Sequence, residues 1–156
     1  MTAEFVIPTR LPGMNEYTDA CRRHAQVGAK MKHNNQEIAA WAIRSQLRGV
    51  KFTKPVEITY TFYEPNRRRD KSNVAAFGIK VIEDALVMCG VLKDDGWQYI
   101  QAFTSRFALD KEKPRIVVRI TDEGAEGGSA YALDRTVENA DGFYKAVYEV
   151  KPKGVK

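Results

Sequence analysis

PVEITYTFY, residues 55–63, is the stretch of sequence that decides the fold, because it is rich in β-branched and aromatic side chains. Val56, Ile58, Tyr60 and Phe62 alternate with more polar neighbours, which is the period of a strand with one buried face. The alternation therefore predicts a strand in a sheet that is covered on one side.

Patterns on either side of this strand predict the remaining elements. In chain order they are a strand at 4–7, helical sequence at 15–48, the strand at 55–63, a helix at about 72–89, and strands at 99–109 and 115–121. Asn34-Asn35 interrupts the first helical stretch, so one bent helix and two separate helices are both open. Gly90 closes the later helix. The order β-α-β-α-β-β predicts an α/β (α+β) domain with a single-layer mixed β-sheet covered by helices on one face.

The composition changes after Asp122. A chain of 156 residues with 44% apolar side chains fits one globular domain with a core. Residues 1–122 are predicted to form that domain. Residues 123–156 are predicted to be a Gly-rich linker and a C-terminal extension, with a possible hairpin at 131–150 and a basic tail.

Charge and cysteine content restrict the class of protein. A net charge of +5 makes contact with a polyanion plausible, although 20 acidic residues argue against a simple basic tail protein. Cys21 and Cys89 have no CxxC or metal-binding spacing, which predicts reduced thiols. No stretch approaches the roughly 18 apolar residues of a membrane span. We therefore expect a cytoplasmic protein with no membrane contact.

Two charged segments flank the helix at 72–89. Arg67, Arg68 and Arg69 precede it, directly before Asp70, and Asp94-Asp95-Gly96 follows it. Adjacent arginines can clamp phosphate oxygens, and aspartates suit Mg²⁺, which needs one or two carboxylates besides water and phosphate. A solvated basic loop and an ordinary turn are the plainer alternatives.

A polar stripe on the helix connects these segments. Steps of about 100° per residue place Asn73, Lys80 and Asp84 on one side. An exposed i,i+4 pair is the alternative interpretation of Lys80 and Asp84. Trp97, which follows the aspartate turn, is expected to be a buried anchor, with stacking on a splayed base as the alternative.

These residues, in this order, resemble the RusA family of Holliday junction resolvases, including its phage and prophage members. The similarity covers about residues 5–120 and is most specific in the arginine-rich loop, Asp70-x-x-Asn73, Asp84-Ala85-Leu86, Gly90-Val91 and Asp94-Asp95. It implies a homodimeric, Mg²⁺-dependent endodeoxyribonuclease, with Mn²⁺ as a substitute metal. Such an enzyme hydrolyses phosphodiester bonds to resolve four-way DNA junctions by paired symmetric nicks.

The resemblance also implies roles for individual residues. The catalytic residues would be Asp70, Asp95 and Lys80. The metal ligands would be Asp70 and Asp95, with Asp94 and Asp84 as further candidates. The DNA-binding residues would be Arg67, Arg68, Arg69 and Lys71, with Arg22 and Arg23 as further candidates. Asn73 marks the start of the helix.

The main departure from the family is Ser72, which stands where the family motif has a second aspartate. A neutral hydroxyl is a poor metal ligand, and Ser72 could instead cap the helix. The alternative function is therefore a protein that binds four-way or other branched DNA with weak catalysis or none. A third possibility is an unrelated small α/β domain with accidental charge clusters.

Overall fold

The computed structural model describes residues 1–124 in full and two further strands, Tyr131–Glu138 and Tyr144–Val150, by their backbone. The elements in chain order are β1 (Thr2–Ile7), α1 (Met14–Arg23), α2 (Ala25–Gln46), β2 (Val56–Glu64), α3 (Lys71–Met88), β3 (Ile100–Leu109), β4 (Arg115–Thr121), β5 (Tyr131–Glu138) and β6 (Tyr144–Val150).

The first four strands form one open mixed sheet in the order β1-β4-β2-β3. β2 runs parallel to β3 and antiparallel to β4, and β1 pairs antiparallel with β4. Val56, Ile58, Tyr60 and Phe62 are buried, so the alternation in β2 is confirmed. The predicted mixed sheet with helices on one face is the observed architecture.

The helical stretch after β1 forms two helices rather than one. The break lies at His24, where the backbone is extended, and not at Asn34-Asn35. The Asn35 side chain does not interrupt α2, because it is buried and its Nδ2 donates to the Met31 carbonyl at 2.8 Å. Gly13 is the N-cap residue of α1, which begins at Met14, one residue before the helical sequence predicted at 15–48.

The α3 helix begins at Lys71, with Asp70 as its N-cap residue, so Ser72 lies inside the helix and does not cap it. Val74, Val81, Ile82, Ala85 and Leu86 are buried against the sheet. At the C-terminal end the Gly90 N–H donates to the Val87 carbonyl and the Val91 N–H donates to the Leu86 carbonyl. These two bonds, with φ of 72° at Gly90, form the predicted Schellman ending.

Beyond β4, the strands β5 and β6 pair antiparallel in a separate two-stranded sheet. The turn of the predicted hairpin at 131–150, the Gly-rich linker and the basic tail lie outside the described residues. Within the described part of the chain, no helix combines the length and the apolar character needed to cross a membrane.

Candidate nucleic-acid interface and active site

α3 and the two loops at its ends hold most of the residues that the sequence singled out. Asp70 lies at its N-terminal end with the arginine loop before it, and Lys80 and Asp84 lie farther along. Asp95 follows in the loop between α3 and β3. Because the helix is antiparallel to β2 and β3 in a β-α-β unit, both of its ends lie at the margin of the sheet.

The Lys80 ammonium group joins two carboxylates. Its Nζ lies 2.7 Å from Oδ2 of Asp95 and 2.9 Å from Oδ1 of Asp84. The other oxygen of Asp84 accepts from Gln36 at 3.0 Å and lies 3.4 Å from Nζ of Lys32, which fixes this side chain to α2. We call Lys80, Asp84 and Asp95 the Lys80 cluster.

Hydrogen bonding inside the Lys80 cluster changes its titration. The bond from Lys80 lowers the pKa of the Asp95 carboxyl, and the bonds to Asp95 and Asp84 raise the pKa of Lys80. Lys80 and Asp95 are therefore both charged at neutral pH. Half of the Lys80 side chain is exposed, so a phosphate group from solvent can reach this ammonium.

Glu83 lies next to the cluster and was not predicted from the sequence. Its Oε1 accepts from the hydroxyl of buried Tyr60 at 3.3 Å. Burial is the largest cause of the raised pKa of Glu83, with repulsion from Asp95 and Asp84 adding to it. Glu83 and Asp95 line a depression with Trp97 and Phe103. This depression continues the Lys80 cluster toward β3.

Asp70 is exposed and lies apart from the Lys80 cluster. It precedes Lys80 by ten residues, or about 15 Å along the axis of α3. Across the described residues, no three Asp, Glu, His or Cys side chains come together in a group that could hold a metal ion. The structure thus brings Lys80, Asp84 and Asp95 together and leaves Asp70 at the other end of the helix. Asp94 is exposed in the loop beside Asp95.

A second charged cluster, also not predicted, lies near Asp70. Glu64 is only 8% exposed and receives two arginines. Arg10 reaches both of its oxygens at 3.1 Å, and Arg69 lies 2.7 Å from Oε1 through Nη2. Arg69 also donates to the Leu11 carbonyl at 2.9 Å. We call Glu64, Arg10 and Arg69 the Glu64 cluster.

The three arginines of the loop therefore differ in their roles. Arg69 is held inside the Glu64 cluster, whereas Arg67 and Arg68 are exposed. Lys71 is exposed as well, with its Nζ 5.7 Å from the centre of the Phe107 ring. Arg67, Lys71 and Asp70 line an open cavity of about 720 Å³ between α3 and the end of β3. This cavity offers two flexible cations to an anionic ligand.

The remaining predicted residues lie elsewhere. Arg22 and Arg23 are exposed at the end of α1, and Arg22 lies 3.9 Å from Asp19. Oδ1 of Asn73 accepts from the backbone N–H of Asn15 at 2.8 Å, so this residue joins α3 to α1. The expectation of a buried Trp97 is wrong, because its side chain is 99% exposed.

Some of the missed residues carried a signal in the sequence. Glu64 shares the parity of the buried residues in β2, so the alternation that predicted the strand also places this carboxylate inside. A buried carboxylate requires cations, and Arg10 and Arg69 supply them. Gln36 and Lys32 gave no comparable signal, because their contact with Asp84 depends on how α2 packs on α3.

Comparison with known proteins gave no identification. No protein-family model matches this chain, and no curated protein matches it.

Proposed function

We propose that this protein is a Mg²⁺-dependent endodeoxyribonuclease that resolves four-way DNA junctions by paired nicks. The observation that carries the proposal is the Lys80 cluster, in which a half-exposed ammonium group and the Asp95 carboxylate meet beside open surface. A lysine and a carboxylate together suit phosphodiester hydrolysis, since one offsets phosphate charge and the other can hold a cation.

The donor set of the Lys80 cluster fits Mg²⁺ in its chemistry. Asp95 and Asp84 supply hard carboxylate oxygens that approach one positive charge, at present the ammonium of Lys80. Asp84 is the less available ligand because Gln36 also binds it. When bound there, Mg²⁺ would supply charge stabilisation at a phosphate oxygen.

The protein's own side chains would bind the phosphates of the DNA substrate. Lys80 is positioned to donate to a non-bridging phosphate oxygen once its bond to one carboxylate is exchanged for the substrate. Arg67, Arg68 and Lys71 would bind phosphates on the same strand without reading sequence. Asp70 and Lys80 are separated by about 15 Å along the helix, which corresponds to about four base steps of B-DNA.

A second candidate function is binding of branched DNA without efficient cleavage. The position of Asp70, about 15 Å before Lys80 along α3, and the serine at position 72 favour it, because both reduce the number of carboxylates at the Lys80 cluster. The exposed Trp97 ring is compatible with both functions, since aromatic rings stack on unpaired bases.

One experiment separates the two functions. Purified protein is incubated with fixed and mobile synthetic junctions, with and without Mg²⁺ or Mn²⁺, and both binding and strand nicks are measured. Paired nicks that require metal support the nuclease, and binding without nicks in either metal supports the second candidate. Salt-insensitive behaviour with no junction binding would contradict both.

Asp95→Asn tests the site itself. The amide removes the negative charge while keeping the shape, so metal-dependent nicking should fall at least about 100-fold while junction binding is retained. Glu37→Gln, which neutralises a half-exposed carboxylate on α2, is the matched control and should cut like the parent. Equal nicking by Asp95→Asn would show that the site is misassigned.

A further inference from the structure

The cavity between α3 and the end of β3 has a charged side and an apolar side. Arg67 and Lys71 are exposed on the charged side, and Phe107 and Leu109 form much of the apolar side. All lining residues together carry three positive and two negative side chains, a net charge of +1. At about 720 Å³ the cavity is large enough for a small organic ligand. We call the space lined by these four residues and Asp70 the Phe107 cavity.

The Phe107 ring is held in place by packing and remains partly accessible. It stacks on the ring of Phe62, with centroids 5.4 Å apart and planes at 17°, and Phe62 itself is only 2% exposed. Leu109, two residues farther along the same face of β3, is 53% exposed. A fixed aromatic ring beside exposed apolar surface favours a planar ligand, because binding then orders few side chains.

Lys71 occupies the position over the ring that a planar ligand would take. Its Nζ lies 5.7 Å from the centre of the Phe107 ring, near the outer limit of a cation–π contact. The side chain is exposed, so the ammonium group can leave the ring at small cost. A base that stacks on the ring would displace this ammonium group toward the phosphate of the same nucleotide.

Two further groups favour a phosphate at the rim of the cavity. Arg67 is exposed in the loop before α3, and a guanidinium group can bind two phosphate oxygens at once. The first N–H groups of α3 lie at the same end, since Asp70 is its N-cap residue and lines the cavity. The Asp70 carboxylate opposes an anion, but Arg67 and Lys71 exceed its charge. The cavity therefore matches a ligand with a planar aromatic part and an anionic part.

We infer that the Phe107 cavity binds one unpaired nucleotide of a DNA strand, with its base on the Phe107 ring and its phosphate between Arg67 and Lys71. A base inside a duplex cannot present its face to the ring, because both of its faces are stacked on neighbouring pairs. The depression beside Trp97 is the competing position for a base, but its lining residues in the described part of the chain include two carboxylates and no cation. The phosphate that accompanies a base therefore favours the Phe107 cavity.

The site has a consequence for the choice of DNA, and this step rests on the proposed function. Bases at a branch point lack a stacked neighbour on one side, so they leave the stack at a lower cost than bases of a linear duplex. A pocket for one unpaired nucleotide would therefore favour branched and single-stranded DNA over duplex DNA. The phosphate contacts of the arginine loop alone give no such preference.

Oligonucleotide binding without metal tests the site apart from cleavage. The affinity of the full chain for a labelled oligothymidylate of about ten nucleotides is measured by fluorescence anisotropy at several salt concentrations. Phe107→Leu keeps an apolar side chain against Phe62 and removes the ring, so affinity should fall about tenfold with an unchanged salt slope. Lys71→Ala should weaken binding and lower the slope by about one.

Trp41→Leu is the matched control. It removes a larger exposed ring from α2 and should bind the oligomer like the parent. Thymidine monophosphate, added at the same nucleotide concentration as the oligomer, should compete poorly, and full competition would assign the cavity to a free nucleotide and overturn the DNA strand as ligand. Equal binding by Phe107→Leu and the parent would overturn the site itself.

Cross-linking of the unaltered chain gives a test that does not depend on the folding of a variant. An oligomer that carries iododeoxyuridine is irradiated in complex with the protein, and the attached residue is identified by mass spectrometry. Attachment at Phe107 is expected, because this base couples to an aromatic ring on which it stacks. Attachment at Trp97 alone would overturn the inference. None of these measurements needs cleavage, so failure of the site is distinguishable from absence of nuclease activity.

Discussion

The Glu64 cluster and the Lys80 cluster contain the same chemistry, carboxylates paired with cationic side chains, in opposite surroundings. Glu64 is almost fully buried, and its arginines bind it from two segments of the chain. Lys80 is half exposed, and its two carboxylates, Asp84 and Asp95, keep 22% and 28% of their side-chain surface exposed. The difference indicates that the first cluster holds the arginine loop in place and that the second is available to a ligand.

Glu64→Gln should have the largest effect on stability. The substitution removes the carboxylate that Arg10 and Arg69 share in a partly buried position, which should lower the free energy of unfolding by about 3 kcal/mol. Urea denaturation followed by circular dichroism measures it. The exposed pair of Glu37 and Arg44, 3.9 Å apart, supplies the control, and Glu37→Gln should change stability by less than about 1 kcal/mol. Equal effects would remove the distinction between buried and exposed pairs.

Lys80→Met should reduce nicking strongly and change stability little. Junction nicking should fall about 100-fold because a positive charge near the phosphate is lost. The free energy of unfolding should change by less than about 1 kcal/mol, since the Lys80 ammonium group is half exposed and Asp84 keeps its contacts with Gln36 and Lys32. Lys111→Met, in the exposed turn between β3 and β4, is the matched control for nicking. A loss of several kcal/mol with unchanged nicking would make the Lys80 cluster structural.

The sequence predicted the parts of the fold that depend on local periodicity. The alternation in β2 and the glycine after α3 were sufficient to define a strand and a helix end, because both are short-range features. The break between α1 and α2 was misplaced, since Asn35 satisfies its amide inside the helix and leaves no sequence signal of doing so. Features of this kind depend on how α2 packs on α3, which the local sequence pattern does not contain.

The candidate site was predicted only in part for the same reason. Lys80 and Asp84 are neighbours by helical spacing, and this pair is present in the structure. The convergence of Asp70 on Asp95 stays a prediction, and the helix places Asp70 about 15 Å from Lys80 along its axis. Trp97 was expected to be a buried anchor, whereas the loop after Asp95 holds it outside the core.

Arg68→Ala tests whether an exposed arginine of the arginine loop contacts phosphate. Arg68 is exposed, and no ion pair to it is found among the described residues, so its removal should weaken binding to all DNA shapes by a few fold. The slope of log affinity against log salt should decrease by about one. Arg119→Ala, on the sheet face opposite the helices, should leave the slope unchanged. A change in junction preference without a change in slope would contradict a phosphate contact.

Glu83→Gln should have the smallest effect, and its sign depends on pH. Burial raises the pKa of Glu83 in the folded chain above its ordinary value, so folding favours the protonated form. Stability from this group is complete below the ordinary carboxyl pKa and declines as the pH rises through the raised folded value. The substituted amide carries no charge and can still bind the Tyr60 hydroxyl, so the variant should be more stable than the parent at neutral pH by less than about 1 kcal/mol.

The gain in stability of Glu83→Gln should vanish in acid, where Glu83 of the parent is protonated as well. Urea denaturation of both proteins across this pH range measures the difference, and a gain that persists in acid would assign the effect to packing and not to charge.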